Sequence, residues 1–266
     1  MQNNGFRKHL KMLQMKQLAV MVMAAMPFCA SAQDEVEATV SADVVSHYMW
    51  RGQDRGGFSI QPEGTVSWKG LSFRAMGNAG LNSEDAHEIN LELGYQNSGF
   101  NIGVIDYWAT GVDPEDRYFF YDEQKTGHQF EANLGYTCKY FTLQGYTMFW
   151  GNDFKKDGKR AYSTYIEAGV PFTLGGIDWM VRAGVTPMES AGHYEEKYIN
   201  SSLIGTTLIA VPVYDYAEGF ACNMASIRAT KQLFVGDVRL PIFAELHTNP
   251  YLQTARLVFG VSVIPF

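Results

Sequence analysis

The sequence predicts an all-β protein, specifically a twelve-stranded antiparallel transmembrane up-and-down β-barrel. Apolar and polar residues alternate with a period of two along most of the chain, which is typical of strands with two different faces. Turn signals divide this pattern into twelve segments, and bacterial single-chain barrels have an even number of strands. After the first 32 residues no stretch stays apolar for about 18 residues, so no membrane-spanning helix is predicted.

Residues 1–32 are predicted to form a signal peptide, and residues 33–266 the barrel. A basic start precedes the short apolar run LAVMVMAAMPF, and Ala30-Ser31-Ala32 offers a small-residue cleavage site. Initiation at Met12 or Met15 stays open. Phe28 stands before Cys29 where a lipidation site needs a small side chain, which argues against a lipid anchor. The expected location is therefore the bacterial outer membrane, with its lipid and its assembly machinery as partners.

Charge and cysteine content narrow the choice of function. The leader holds four of the 21 Lys and Arg residues and none of the 28 Asp and Glu residues, so the mature chain is more acidic than the full-length net charge of −7. This balance argues against nucleic-acid binding. The strand map puts Cys138 and Cys222 at opposite barrel ends, farther apart than the ~7 Å between Cα atoms that a disulfide allows, so both are predicted to be free. No cofactor motif occurs.

The first predicted strand is the longest, at 36–51. Its even positions are apolar and end in Tyr48 and Trp50, which are assigned to the lipid-facing side, whereas its odd positions are mostly polar. The alternation in 220–230 is ambiguous, so its faces stay unassigned. The other eleven predicted strands are 58–68, 71–80, 88–96, 100–108, 128–136, 141–150, 161–170, 177–186, 220–230, 240–247 and 254–264.

Connection lengths and tryptophans support a membrane barrel. Short breaks alternate with longer ones such as 109–127 and 187–219, as expected for periplasmic turns and outer loops. Trp50, Trp68, Trp108 and Trp150 each close a predicted strand, where an aromatic ring is stable at the lipid–water boundary. The alternative fold, a periplasmic β-sandwich, would scatter its tryptophans through the core and use shorter strands.

The segment SADVVSHYMWRG at 41–52 resembles the opening of the Gcw_chp family, a group of exported bacterial proteins of unknown function. The recurring mark of that family is a strand ending in Tyr-x-Trp-Arg-Gly, which stands here as Tyr48, Trp50, Arg51 and Gly52. The segments 216–220, 240–245 and 249–251 look like the final hairpins of the same group. The resemblance implies an outer-membrane barrel and implies no activity.

The polar faces of the strands are predicted to line the barrel interior. Carboxylates outnumber arginines among them, and rings of carboxylate favour cations. Large side chains on the same faces, including Tyr146, Trp150 and Tyr165, narrow the lumen. The functional hypothesis is a narrow porin-like channel for small solutes with a weak cation preference. The predicted lining residues are Asp43, His47, Arg51, Glu63, Arg74, Glu92, Glu131, Glu167, Asp178, Arg182, Glu245 and Arg256.

Two other functional classes compete with the channel hypothesis. A structural or binding barrel with a closed lumen would act through its surface loops, among which 109–127 is rich in aromatic and acidic residues. An outer-membrane phospholipase would need a serine beside a lipid-facing histidine. His128 has the required position, but no serine can be placed next to it, so no enzyme is predicted. The acidic segment around His193 lacks a diagnostic ligand spacing, and no metal site is predicted.

Overall fold

The computed structural model describes residues 36–264, apart from 83, 84, 86, 202–204 and 237. The predicted signal peptide lies outside the described residues. No helix in this part of the chain is long and apolar enough to cross a membrane.

Twelve strands close into one antiparallel barrel, in which each strand pairs with its neighbours in chain order and the last pairs with the first. The predicted fold class is therefore confirmed. The barrel strands are β1 (Val36–Val45), β4 (Ser59–Trp68), β5 (Leu71–Gly80), β6 (His87–Asn97), β7 (Phe100–Ala109), β8 (His128–Thr137), β9 (Thr142–Gly151), β10 (Thr164–Leu174), β11 (Ile177–Thr186), β14 (Ala221–Lys231), β17 (Ile242–Asn249) and β18 (Thr254–Val263).

Six further strands form three hairpins outside the barrel wall. They are β2 (Tyr48–Trp50) with β3 (Gln53–Gly56), β12 (Gly192–Ser201) with β13 (Gly205–Tyr214), and β15 (Phe234–Val235) with β16 (Val238–Arg239). The long connection predicted at 187–219 thus contains an antiparallel hairpin with ten residues in each strand.

The two ends of the barrel differ in their connections. One end, the turn rim, carries the connections 69–70, 98–99, 138–141, 175–176 and 232–241. The other end, the loop rim, carries the remaining connections, most of which are longer. The predicted break at 171–176 is too long, because β10 continues through Pro171 to Leu174. Gly175 and Gly176 both have positive φ, which a two-residue hairpin turn requires. Cys138 lies at the turn rim and Cys222 near the loop rim, and both are free, as predicted.

The outward faces of the barrel strands are apolar. Many of their large side chains are 36–67% exposed, and together they form an apolar patch larger than water-soluble monomers leave exposed. Examples are Leu93, Phe100, Ile102, Leu134, Val170, Leu174, Leu246, Leu257 and Phe259. Such a surface is stable only against an apolar surrounding.

Two β-bulges reverse the alternation of faces near the loop rim. Phe130 pairs with Trp150 and Glu131 with Met148, so Phe149 is an extra residue and Trp150 turns to the outer face. The predicted inward orientation of Trp150 is therefore wrong. A second bulge, at residue 223 of β14, explains why the alternation in 220–230 is ambiguous.

Candidate functional site

The chain leaves the barrel wall at Val45 and folds into the lumen. The first predicted strand, 36–51, is therefore too long, and its lipid-facing assignment of Tyr48 and Trp50 is wrong. Tyr48 is buried and its hydroxyl donates to Glu88 Oε2 at 2.8 Å. The Trp50 ring packs against two lumen tyrosines, with centroid distances of 5.8–5.9 Å. Residues 46–57, which contain β2 and β3, are called the inner hairpin below.

A tight turn fixes the tip of the inner hairpin. Arg51 and Gly52 connect β2 to β3 and both have positive φ, at 50° and 79°. The backbone of Gly52 lies so close to β14 that a Cβ would be 2.1 Å from the carbonyl oxygen of Asn223. Farther along the hairpin, Arg256 Nε donates to Asp54 Oδ2 at 2.9 Å. The hairpin is thus held against the wall formed by β14 and β18.

The Arg51 side chain crosses the lumen to the opposite wall. Its two terminal nitrogens donate to the two Glu131 carboxylate oxygens, each at 2.7 Å. The side chains of Arg51 and Glu131 are 7% and 0% exposed, so this ion pair is buried. Arg51 also donates to the Tyr216 hydroxyl at 2.6 Å, and the Tyr107 hydroxyl donates to Glu131 at 2.9 Å. A buried pair needs such additional hydrogen bonds to offset its desolvation.

Aromatic rings surround the same guanidinium. Its central carbon lies 4.3 Å from the ring centroid of Tyr146, 4.5 Å from that of Trp50 and 4.9 Å from that of Tyr165. Each distance is within the range of an attractive cation–π contact. The guanidinium cage is defined here as Glu131 with the rings of Trp50, Tyr107, Tyr146, Tyr165 and Tyr216.

The cage divides the space inside the barrel. On the turn-rim side lie a cavity of about 400 Å³ and an adjoining one of about 650 Å³, which share lining residues such as Arg74, Glu92 and Arg182. These two are called the turn-side cavities. On the loop-rim side lies a cavity of about 400 Å³. Trp50 and Tyr107 line spaces on both sides, so these two rings form part of the partition.

Most residues predicted to face the lumen do line these spaces. Nine of the twelve line the turn-side cavities, and Glu131 lies in the cage. Glu63 is bonded to Arg74 at 3.3 Å. Arg256 is exposed and bonded to the inner hairpin instead of lining a cavity. The nine are Asp43, His47, Arg51, Arg74, Glu92, Glu167, Asp178, Arg182 and Glu245.

The turn-side cavities are less acidic than the sequence predicts. They contain one base that the strand assignment missed, Arg228. The bulge at residue 223 interrupts the alternation of faces in its strand, so the inward orientation of Arg228 could not be assigned. Five carboxylates and four arginines therefore line the two cavities. Arg182 pairs with Glu245, whose second oxygen lies 3.8 Å from Arg228. The cations and anions thus largely neutralise one another along this wall.

His128 lies on the outer face of the barrel near the loop rim, as predicted, but it is fully buried. Its Nδ1 lies 2.8 Å from Asp106 Oδ1, and its Nε2 lies 2.5 Å from the Tyr118 carbonyl oxygen. The Tyr121 ring stacks on the imidazole with a centroid distance of 4.4 Å. Both ring nitrogens are therefore engaged by groups other than a serine, and the histidine anchors the loop 110–127 to the wall.

The same loop has an internal ion pair. Arg117 Nε donates to Asp113 Oδ2 at 2.9 Å, and this hydrogen bond lowers the pKa of the Asp113 carboxyl well below its usual range. The pair therefore contributes at neutral pH and is lost only when the pH falls through that lowered pKa.

Replacing His128 with alanine is expected to release the loop 110–127. The change removes two hydrogen bonds and a stacked ring from a buried position, a loss of about 1–3 kcal/mol. Limited trypsin digestion should then cut after Arg117 and Lys125 roughly tenfold faster, because 1.4 kcal/mol is a factor of ten in an opening equilibrium. Cleavage after Lys139, on the turn rim, is the internal reference. Equal acceleration at all three sites would indicate general destabilisation instead.

Comparison with known proteins identifies no family. No family model matches the chain, and no curated protein matches its sequence. Among solved structures, one described as the CymD monoaromatic hydrocarbon channel aligns at 10% identity and a TM-score of 0.37, covering 88% of both chains. Salmonella typhi OmpF in complex with daunomycin aligns at 8% identity and a TM-score of 0.32, covering 86% of this chain and 97% of that one. Neither alignment is close enough to transfer a function.

Proposed function

We propose that the protein is an outer-membrane channel for small solutes whose lumen is closed by its own inner hairpin. The observation that carries the proposal is the arrangement of cavities on both sides of one partition. The partition is made by residues 46–57 together with the side chains of the guanidinium cage, most of which project into the lumen from the wall. Displacing one hairpin would therefore join the spaces into a passage.

The outer surface supports the membrane location. An apolar band covers the barrel wall, and aromatic side chains border it at both ends, as in membrane barrels. Trp68, Tyr95, Tyr136 and Trp179 lie near the turn rim, and Phe149 and Trp150 lie near the loop rim. Since short turns are periplasmic in such barrels, the loop rim would face the outside.

The cavities support a small solute and a modest charge preference. Volumes of about 400 and 650 Å³ are in the range of sites for small molecules. With five carboxylates against four arginines, the field inside is weak, and the proposed cation preference is correspondingly small.

The second candidate is a barrel with a permanently closed lumen that acts through its loops. The buried Arg51–Glu131 pair favours it, because such a pair is expensive to separate. So does the exposure of Phe119, which is 88% accessible in the loop 110–127. In this case deletion of that loop, and not a change in the lumen, would abolish the activity.

Single-channel recording on the refolded protein distinguishes the two candidates. The channel proposal expects brief openings of small conductance, with K⁺ slightly more permeant than Cl⁻. A heat-modifiable gel band verifies the fold of each preparation. Absence of current from both the wild type and a variant with a displaced hairpin, in preparations that pass this check, would contradict the channel and favour the closed barrel.

A further inference from the structure

We infer that the guanidinium cage is a binding site for guanidinium-bearing solutes, which the protein fills with its own Arg51 when the lumen is closed. The inference rests on the proposed channel function and specifies its substrate class. Tyr107, Glu131, Tyr146 and Tyr165 come from the barrel strands β7, β8, β9 and β10. Trp50 comes from the inner hairpin, and Tyr216 comes from the connection between β13 and β14.

The barrel part of the cage would therefore persist after the hairpin moves. Glu131 would keep the hydrogen bond from Tyr107, which orients its carboxylate. The two other wall tyrosines, 4.3 and 4.9 Å from the guanidinium carbon, would still offer their rings to a cation. When the hairpin moves away, the fully buried Glu131 carboxylate loses the Arg51 guanidinium that neutralises it.

The geometry favours a guanidinium over other cations. Glu131 accepts two parallel hydrogen bonds of 2.7 Å from a planar fork of two nitrogens. An ammonium ion is a point charge with tetrahedral donors and cannot reproduce that fork. Planar guanidinium also stacks on aromatic faces, and it loses less hydration than an ammonium when it is buried.

A solute can reach the cage from the turn-rim side. Arg51, Trp50, Tyr146 and Tyr165 all line the 400 Å³ turn-side cavity. Arg228 lines the same cavity, and its Nη1 lies 3.8 Å from Glu245 Oε2. A solute that carries a carboxylate as well as a guanidinium would find a partner there for each group. Arginine-like molecules belong to this class.

Binding of such a solute would also open the channel. The cage holds either Arg51 or the solute, so a solute that occupies it excludes the closed arrangement of the hairpin. A ligand that binds one of two states shifts the equilibrium toward that state. The substrate and the opening signal would thus be the same chemical group.

The test uses Arg51→Ala, with methylguanidinium as probe and methylammonium as its matched control. Arg51→Ala lacks the group that closes the lumen in the wild type, so a bound cation can only occupy its passage and not open it. Millimolar methylguanidinium is therefore expected to raise the unfolding temperature of the refolded variant and to reduce its current. Methylammonium should need at least about tenfold higher concentration, which corresponds to 1.4 kcal/mol. Adding Glu131→Gln to the same variant should remove the discrimination. If Arg51→Ala does not refold, Arg51→Met is used in its place, because methionine keeps the apolar part of the arginine side chain.

The outcomes separate the two proposals. Equal effects of the two cations, or discrimination that survives Glu131→Gln, would overturn the guanidinium site. A selective rise in unfolding temperature without current in any variant would retain the site and overturn the channel. Selective stabilisation together with selective block would support both.

Discussion

Replacing Gly52 with alanine is expected to displace the inner hairpin and to raise the open fraction of the channel about tenfold or more. A Cβ at this position would lie 2.1 Å from the Asn223 carbonyl oxygen and 3.2 Å from the Met224 Cβ. The first contact is with backbone, which cannot move aside as a flexible side chain could. The positive φ of 79° adds strain of about 1–3 kcal/mol for a residue other than glycine.

Gly111→Ala provides the matched control. Gly111 has a similar φ of +89°, but a Cβ there would meet no atom within 4 Å. This variant therefore has the same backbone strain without a clash in the lumen. Single-channel recordings should show the wild-type open fraction for Gly111→Ala and a much higher one for Gly52→Ala. Similar open fractions in both variants would mean that the contact between the hairpin and β14 does not control the opening of the lumen.

Truncating Arg51 to alanine is expected to lower the free energy of unfolding by about 3–5 kcal/mol, because it leaves the buried Glu131 carboxylate without its cation. Removing both partners should be less damaging than the sum of the two single changes. Unfolding in urea, measured in the same lipid for Arg51→Ala, Glu131→Ala and the double variant, gives the coupling energy directly. A positive coupling of several kcal/mol would show that the two side chains act as one unit.

Arg256→Ala is the control for this experiment. Arg256 forms an ion pair with Asp54 of the same hairpin, but the two side chains are 49% and 36% exposed. Exposed pairs contribute about 0–1 kcal/mol, so this variant should be nearly as stable as the wild type. If Arg51→Ala lowered the free energy of unfolding no more than Arg256→Ala does, the conclusion that the Arg51–Glu131 pair is buried would be wrong.

Much of the barrel could be predicted from alternation alone, because a strand in a closed wall must present one face to each side. Arg74, Glu92 and Arg182 lie on the inner face for that reason. The prediction failed where the backbone interrupts the period of two. One extra residue at Phe149 moves Trp150 to the outer face. Another, at residue 223, breaks the alternation in β14, so the inward orientation of Arg228 was not predicted. No propensity scale marks a bulge in a single sequence, because it depends on the partner strand.

The inner hairpin could not be predicted because an aromatic lumen and a lipid bilayer select the same side chains. Tyr48 and Trp50 continue the apolar parity of β1, yet they pack inside against other rings. The available signal was the segment that follows them, in which Gly52, Gly56 and Gly57 stand among charged residues. Glycines at this density indicate tight turns more than a strand crossing a membrane.

The contacts that close the lumen join residues that are far apart in the chain. Arg51 is separated by 80 positions from Glu131 and by 165 from Tyr216, and Asp54 is 202 positions from Arg256. Most barrel strands, in contrast, pair with the next segment of the chain. Because distant contacts require more loop-closure entropy, they form after the local pairings. The seam between β1 and β18, which pairs Asp43 with Ser262, is a contact of the same kind, so closure of the wall and closure of the lumen would both belong to the late steps of folding.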